Sequence, residues 1–150
     1  MIILDTNVLS ELMQKVPDPS VVEWLDQQPA ESVWITSITL FEARLGLALL
    51  PNGRRRQALE LAFEQLLAED LEERVLDFDR SAAEAAAGLA AERQRNGRTV
   101  DMRDTQIAGI VIARRATLAT AIQPQSLIWR LCQNIKTAPR MQEDSEGHFI

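Results

Sequence analysis

Cysteine and lysine are both scarce in this chain of 150 residues. The one cysteine, Cys132, excludes an internal disulfide and fits a reducing cytoplasm. Long apolar runs are lacking too. The longest, residues 82–91, is interrupted by Glu84 and is too small and polar to span a bilayer. The apolar start has no basic residue ahead of it and runs straight into Asp5, so a secretory leader is not expected. There are no internal repeats and no low-complexity segments. What remains is one domain's worth of sequence, 46% hydrophobic and 25% charged, enough to bury a core.

The net charge of −6 argues against a protein that coats nucleic acid with its whole surface. It does not exclude an enzyme of phosphodiesters, because acidic metal ligands subtract charge at the very place where phosphate binds. The two lysines, Lys15 and Lys136, leave positive charge to arginine, grouped as Arg54, Arg55 and Arg56, then Arg93, Arg95, Arg98 and Arg103, then Arg114 and Arg115. The planar guanidinium fork suits phosphate. Such groups also serve as plain solvated helix faces, and both readings stand.

The organising stretch is Ile2-Ile3-Leu4-Asp5-Thr6-Asn7, an apolar run that ends in a carboxylate. It reads as a buried parallel strand that stops at Asp5, with a helix capped by Thr6 or Asn7. Asp5 then lies at the carboxyl end of a central strand, where open α/β sheets place ligands. Its alternative is a simple turn or N-cap residue. Further on, Asp18 and Pro19 start a short helix, and residues 33–36 form a β-branched and aromatic strand. Ile38, Phe41, Leu45 and Ala48 or Leu49 recur at helical spacing up to Pro51-Asn52-Gly53. A helix is expected over 54–68, a strand over 75–78, and an alanine-rich helix from Asp79 to Asn96-Gly97. A last helix runs from Asp101 or Asp104 to Arg114, and a fourth strand covers 117–120. Strands alternating with helices imply an α/β fold, a mostly parallel twisted sheet with helices on both faces.

Three acids hold equivalent places in this alternation. Asp5 ends strand one, Glu42 follows strand two, and Asp104 opens the helix before strand four. In a parallel sheet all three can converge on the carboxyl edge. Clustered carboxylates repel unless a cation holds them, which points to a hard divalent ion, Mg²⁺ or Mn²⁺. Each has a plainer reading as well. Thr39-Leu40-Phe41-Glu42 fits a capping box, and Asp101 and Asp104 suit a helix start through the dipole alone.

Three blocks resemble the PIN-domain ribonucleases, in particular the VapC-type toxins of bacterial toxin–antitoxin pairs and their FitB-like branch. They are residues 3–11 (ILDTNVLSE), 37–46 (SITLFEARLG) and 104–109 (DTQIAG), in the family's order and roughly its spacing. The resemblance covers residues 1–120 and implies a PIN-like three-layer fold. It implies that Asp5, Glu42 and Asp104 bind Mg²⁺ or Mn²⁺ and carry catalysis, with Thr6, Ser37 and Asp101 lining the site. It further implies a cytoplasmic endoribonuclease toxin, an RNA substrate, a cognate antitoxin, a homodimer and no membrane.

The chain departs from that pattern at Thr120-Ala121-Ile122-Gln123-Pro124-Gln125, where the family continues Thr-Arg-Asn or Thr-x-Asp. Loss of one nucleotide from a stretch encoding Arg-Asn-Thr-Ala-Ala gives Ala-Ile-Gln-Pro-Gln, the text of residues 121–125. Residues 121–150 are therefore expected to be a frame-shifted, partly disordered segment, with a helix over 125–137. Two rivals remain: an attenuated toxin that still dimerises and binds its antitoxin, and a phosphotransfer domain. The second lacks support, since Asn7 stands where a dehalogenase-type phosphatase has Asp, and no lysine lies between Lys15 and Lys136.

Overall fold

β1 (Ile2–Leu4) is buried on both sides, with Ile3 0% and Leu4 1% exposed. Only a central strand has that environment, and its neighbours are β2 (Val33–Thr36) and β4 (Thr117–Ala119). β3 (Val75–Leu76) pairs with the far side of β2, and all pairings are parallel, in the order β3-β2-β1-β4. The computed structural model describes residues 1–120; the expectations for residues 121–150 lie outside the described residues.

Alternation along the strands sends side chains into two separate cores. Leu4, Val33, Ile35 and Ala119 face α1 (Thr6–Leu12), α2 (Pro19–Asp26), α3 (Ser37–Leu49) and α4 (Arg54–Gln65), meeting Val8, Leu9, Val21, Leu47 and Phe63. Ile3 faces the opposite layer, α5 (Arg80–Arg95) and α6 (Met102–Ala113), with Leu76, Ala82, Ile107, Ile110 and Val111. The expected three layers are present, helix–sheet–helix. Among the described residues no helix is long and apolar enough to cross a membrane.

Most helix starts follow their capping residues. Asp18 accepts the Ser20 N–H ahead of Pro19, Asp79 accepts the Ala82 N–H, and Asp101 accepts those of Arg103 and Asp104. Four details depart from expectation. α1 is capped by Asp5 rather than by Thr6 or Asn7. α3 is capped by Thr36, whose Oγ1 takes the Thr39 N–H, so no capping box from Thr39 to Glu42 forms. β3 stops at Leu76, because the Phe78 N–H turns to Ser37 Oγ at 3.1 Å. α4 ends at Gln65 and widens into a π-turn, Leu66–Asp70, with the Leu71 N–H on the Leu66 carbonyl; the extra residue brings Leu67 and Leu71 into the core.

α5 and α6 run antiparallel, with Arg93 beside Thr105, Ala86 and Ala82 beside Gly109, and Asp79 paired to Arg114. On the alanine-rich α5, Ala82 and Ala86 are buried within the chain. The approach is close. A Cβ built on Gly109 would lie 2.5 Å from the Ala82 carbonyl oxygen and 2.7 Å from the Ala86 Cβ. Gly109→Ala is expected to destabilise the fold by about 1–3 kcal/mol through overpacking. Gly88→Ala, whose Cβ meets nothing within 4 Å, should stabilise it by roughly 0.5–1 kcal/mol. Urea unfolding of both variants checks the pair; equal effects would contradict the packing described.

Candidate active site

Asp5 is placed by backbone as much as by side chain. Its N–H continues the sheet ladder, reaching the Ala119 carbonyl at 2.8 Å, so the carboxylate begins where the strand ends. Oδ1 takes the Thr6 N–H at 2.7 Å, and Oδ2 takes the Thr120 hydroxyl at 2.8 Å. The cap reading and the site reading of Asp5 are therefore compatible, because each uses a different oxygen. Thr120 is 8% exposed and directly follows β4.

Glu42 comes from the second turn of α3. The Thr6 hydroxyl donates to its Oε2, and Arg103 Nη1 lies 3.4 Å from its Oε1. Thr6 thus links Asp5 and Glu42, receiving from neither but donating to both. Asp104 sits in the first turn of α6, and its carboxylate accepts no hydrogen bond among the described residues. Partial burial holds its pKa above the ordinary aspartate value, with repulsion from Asp101, Asp5 and Glu42 adding to the rise and Arg93 opposing it. Asp101, Asp5 and Glu42 all lie near enough to act electrostatically on the Asp104 carboxyl.

Asp101 is engaged in capping α6, with Oδ1 taking the Arg103 and Asp104 N–H groups at 2.9 and 3.1 Å. The Ser37 hydroxyl is engaged with Phe78 on the β3 side. Among the described residues no group of three or more His, Cys, Asp or Glu side chains is set to hold a metal ion as it stands. Asp5 and Glu42 instead each accept a hydroxyl proton from a threonine. The donor set itself, carboxylates with threonine hydroxyls, has the hard-oxygen chemistry that suits a divalent cation.

Three participants escape a reading that looks for acids. Thr120 anchors Asp5, Arg103 pairs with Glu42, and Arg93 bonds Thr105 at 3.5 Å while facing Asp104. Thr120 could have been found from its place just past a central strand. The two arginines belong to a sequence cluster that equally fits a solvated face.

A profile of the PIN domain matches residues 2–121. Over 120 residues the chain is 39% identical to the plasmid stability protein StbB of Pseudomonas syringae pv. tomato, 38% to the VapC ribonuclease Y4jK of Sinorhizobium fredii and 37% to the toxin FitB of Neisseria gonorrhoeae. Each match covers 80% of this chain and 86% of the relative. The crystal structure of FitAcB from Neisseria gonorrhoeae superposes with a TM-score of 0.73 at 37% identity, over 80% of this chain and 86% of that one.

Replacing Thr120 by the isosteric Val removes one donor from Asp5 and should lower stability by about 1–2 kcal/mol. A double-mutant cycle with Asp5→Asn is expected to show a coupling near 1 kcal/mol. Additive losses would mean that the contact contributes nothing.

Proposed function

The chain belongs to the PIN domain family, and on that premise we propose that it is a ribonuclease toxin of a bacterial type II toxin–antitoxin pair. It hydrolyses RNA phosphodiester bonds in the cytoplasm with Mg²⁺ or Mn²⁺, acts as a homodimer, and is held in check by a small antitoxin over its acidic edge. Relatives named as a VapC ribonuclease and as a toxin support the activity. The site reading is supported by Thr6, which donates to both Asp5 and Glu42, and by Arg103, which pairs with Glu42 and adjoins Asp104 in the chain.

Asp5, Glu42 and Asp104 would hold the cation, with Asp101 and Ser37 at the margin. When bound, it would offset charge on the phosphate oxygens and favour in-line attack by water. The chain's own residues do the rest. Thr6 and Thr120 fix the Asp5 and Glu42 carboxylates by donating hydroxyl protons to them. Arg103 and Arg93 keep positive charge at the rim, where an RNA backbone must approach.

Asp5→Asn is expected to abolish cleavage while leaving a folded protein. Wild-type activity should disappear with EDTA and return with Mg²⁺ or Mn²⁺. Mg²⁺ should also raise the thermal midpoint of wild type and not that of Asp104→Asn. Cleavage that persists in Asp5→Asn would refute the assignment.

The second reading, an attenuated toxin, rests on Ala121 and Ile122, which stand where the family carries Arg-Asn. Ile122 can neither accept a hydrogen bond nor orient water. Three acids still suffice for a cation with open positions, so RNA and antitoxin binding persist while water is poorly placed. Loss of such an orienting contact slows chemistry by about 10²-fold. Ala121→Arg with Ile122→Asn should raise single-turnover cleavage toward that amount. Equal rates would show that position 122 does not matter in this chain.

A further inference from the structure

The helical spacing of α3 marks Phe41 as a core residue, yet it is 53% exposed. The helix buries a different face, with Thr39 and Leu47 inside and Leu40 and Ala43 packed against the core. Phe41 is left outside, adjoining Glu42 in the chain. The Arg103 guanidinium carbon lies 5.7 Å from the Phe41 ring centroid, and Nη1 of the same group lies 3.4 Å from Glu42 Oε1. Arg103 in turn adjoins Asp104. An aromatic ring, a cation and the Glu42 carboxylate thus form one row from α3 to α6.

Phe41 keeps about half of its surface in solvent beside the Arg103–Glu42 pair. It offers a flat apolar face, which acids cannot supply, and every nucleobase has a flat face to set against it. The Arg103–Glu42 pair is exposed on the arginine side, at 51%, and longer than a good charged hydrogen bond, so it contributes little and is readily exchanged. A phosphate offers that guanidinium a better partner, through two parallel N–H···O bonds. Exchange would also free Glu42 Oε1.

We propose that Phe41 is a stacking platform for one unpaired base of the RNA beside the scissile bond, and that Arg103 grips the adjoining phosphate after leaving Glu42. This rests on the ribonuclease reading and deepens it by assigning the Phe41 ring to one base and the Arg103 guanidinium to the phosphate next to it. A base in a duplex already has its faces covered by neighbours and cannot reach the ring without being unstacked. Charge complementarity selects RNA over an apolar peptide as the occupant, since a guanidinium is laid against the ring.

The test uses the full chain carrying Asp5→Asn, so that RNA is bound and not consumed, and a short single-stranded oligoribonucleotide with one 2-aminopurine. Stacking on the ring should quench the probe, and Phe41→Leu added to this background should remove the quenching and weaken binding roughly tenfold. Phe41→Trp should restore both. In the active protein, Phe41→Leu should slow cleavage of the single strand by a similar factor. Equal quenching and equal cleavage with Phe41→Leu overturn the platform and leave the nuclease standing. A wild-type protein that cuts no RNA overturns both. Unchanged RNA affinity with loss of binding to a co-expressed antitoxin would assign the ring to a protein interface and also overturn the proposal.

Discussion

β1 is three residues long and buried on both faces, and the position of Asp5 depends on that strand. Ile3 and Leu4 point into opposite cores, so neither can be polar, and the first charged residue must come where the strand leaves the sheet. The Asp5 N–H still belongs to the ladder, which ties the carboxylate to the end of β4. Thr120 leaves β4 beside it and supplies a hydroxyl. The site therefore inherits the rigidity of a parallel sheet at its central pair, rather than that of a loop.

Repulsion works against this arrangement. Four carboxylates gathered at one edge are unfavourable, and the protein spreads the charge over local donors: Thr6, Thr120, the first N–H groups of α6, and Arg103. Asp104 has no such donor, and its raised pKa is the sign of what remains uncompensated. Its place is set at a distance. Gly109 lets α6 lie directly on the Ala82 and Ala86 turns of α5, and at the other end of that packing Arg93 reaches Thr105, next to Asp104. A glycine on the far side of the helix is thus coupled to the chemistry of its first turn.

Alternation of short apolar runs with capped helices made the layer order and most element bounds legible. Where the reading failed, a distant group had intervened. Ser37 draws the Phe78 N–H away from β3, ending a strand that composition would continue. Leu67 and Leu71 reach the core only because the last turn of α4 widens, a choice made by packing rather than by helical period. Phe41, Leu45 and Leu49 mark one apolar stripe on α3, but Leu40, Ala43 and Leu47 face the core, a choice made by packing against the sheet and α1.

The residue types and their order determined, without any fold, that acids follow strands one and two and precede strand four, and that caps stand at Asp18, at Asp79 and at Asp101 or Asp104. Those are local facts, settled by propensity and by hydrogen bonds within a few residues. Tertiary structure alone decided that Thr6 bridges Asp5 to Glu42 across 36 positions, that Thr120 holds Asp5 across 115, and that Arg103 lies between Phe41 and Glu42. Such contacts join residues with no local preference for one another. They exist because a parallel sheet brings every strand's carboxyl end to one edge, whatever the distance along the chain.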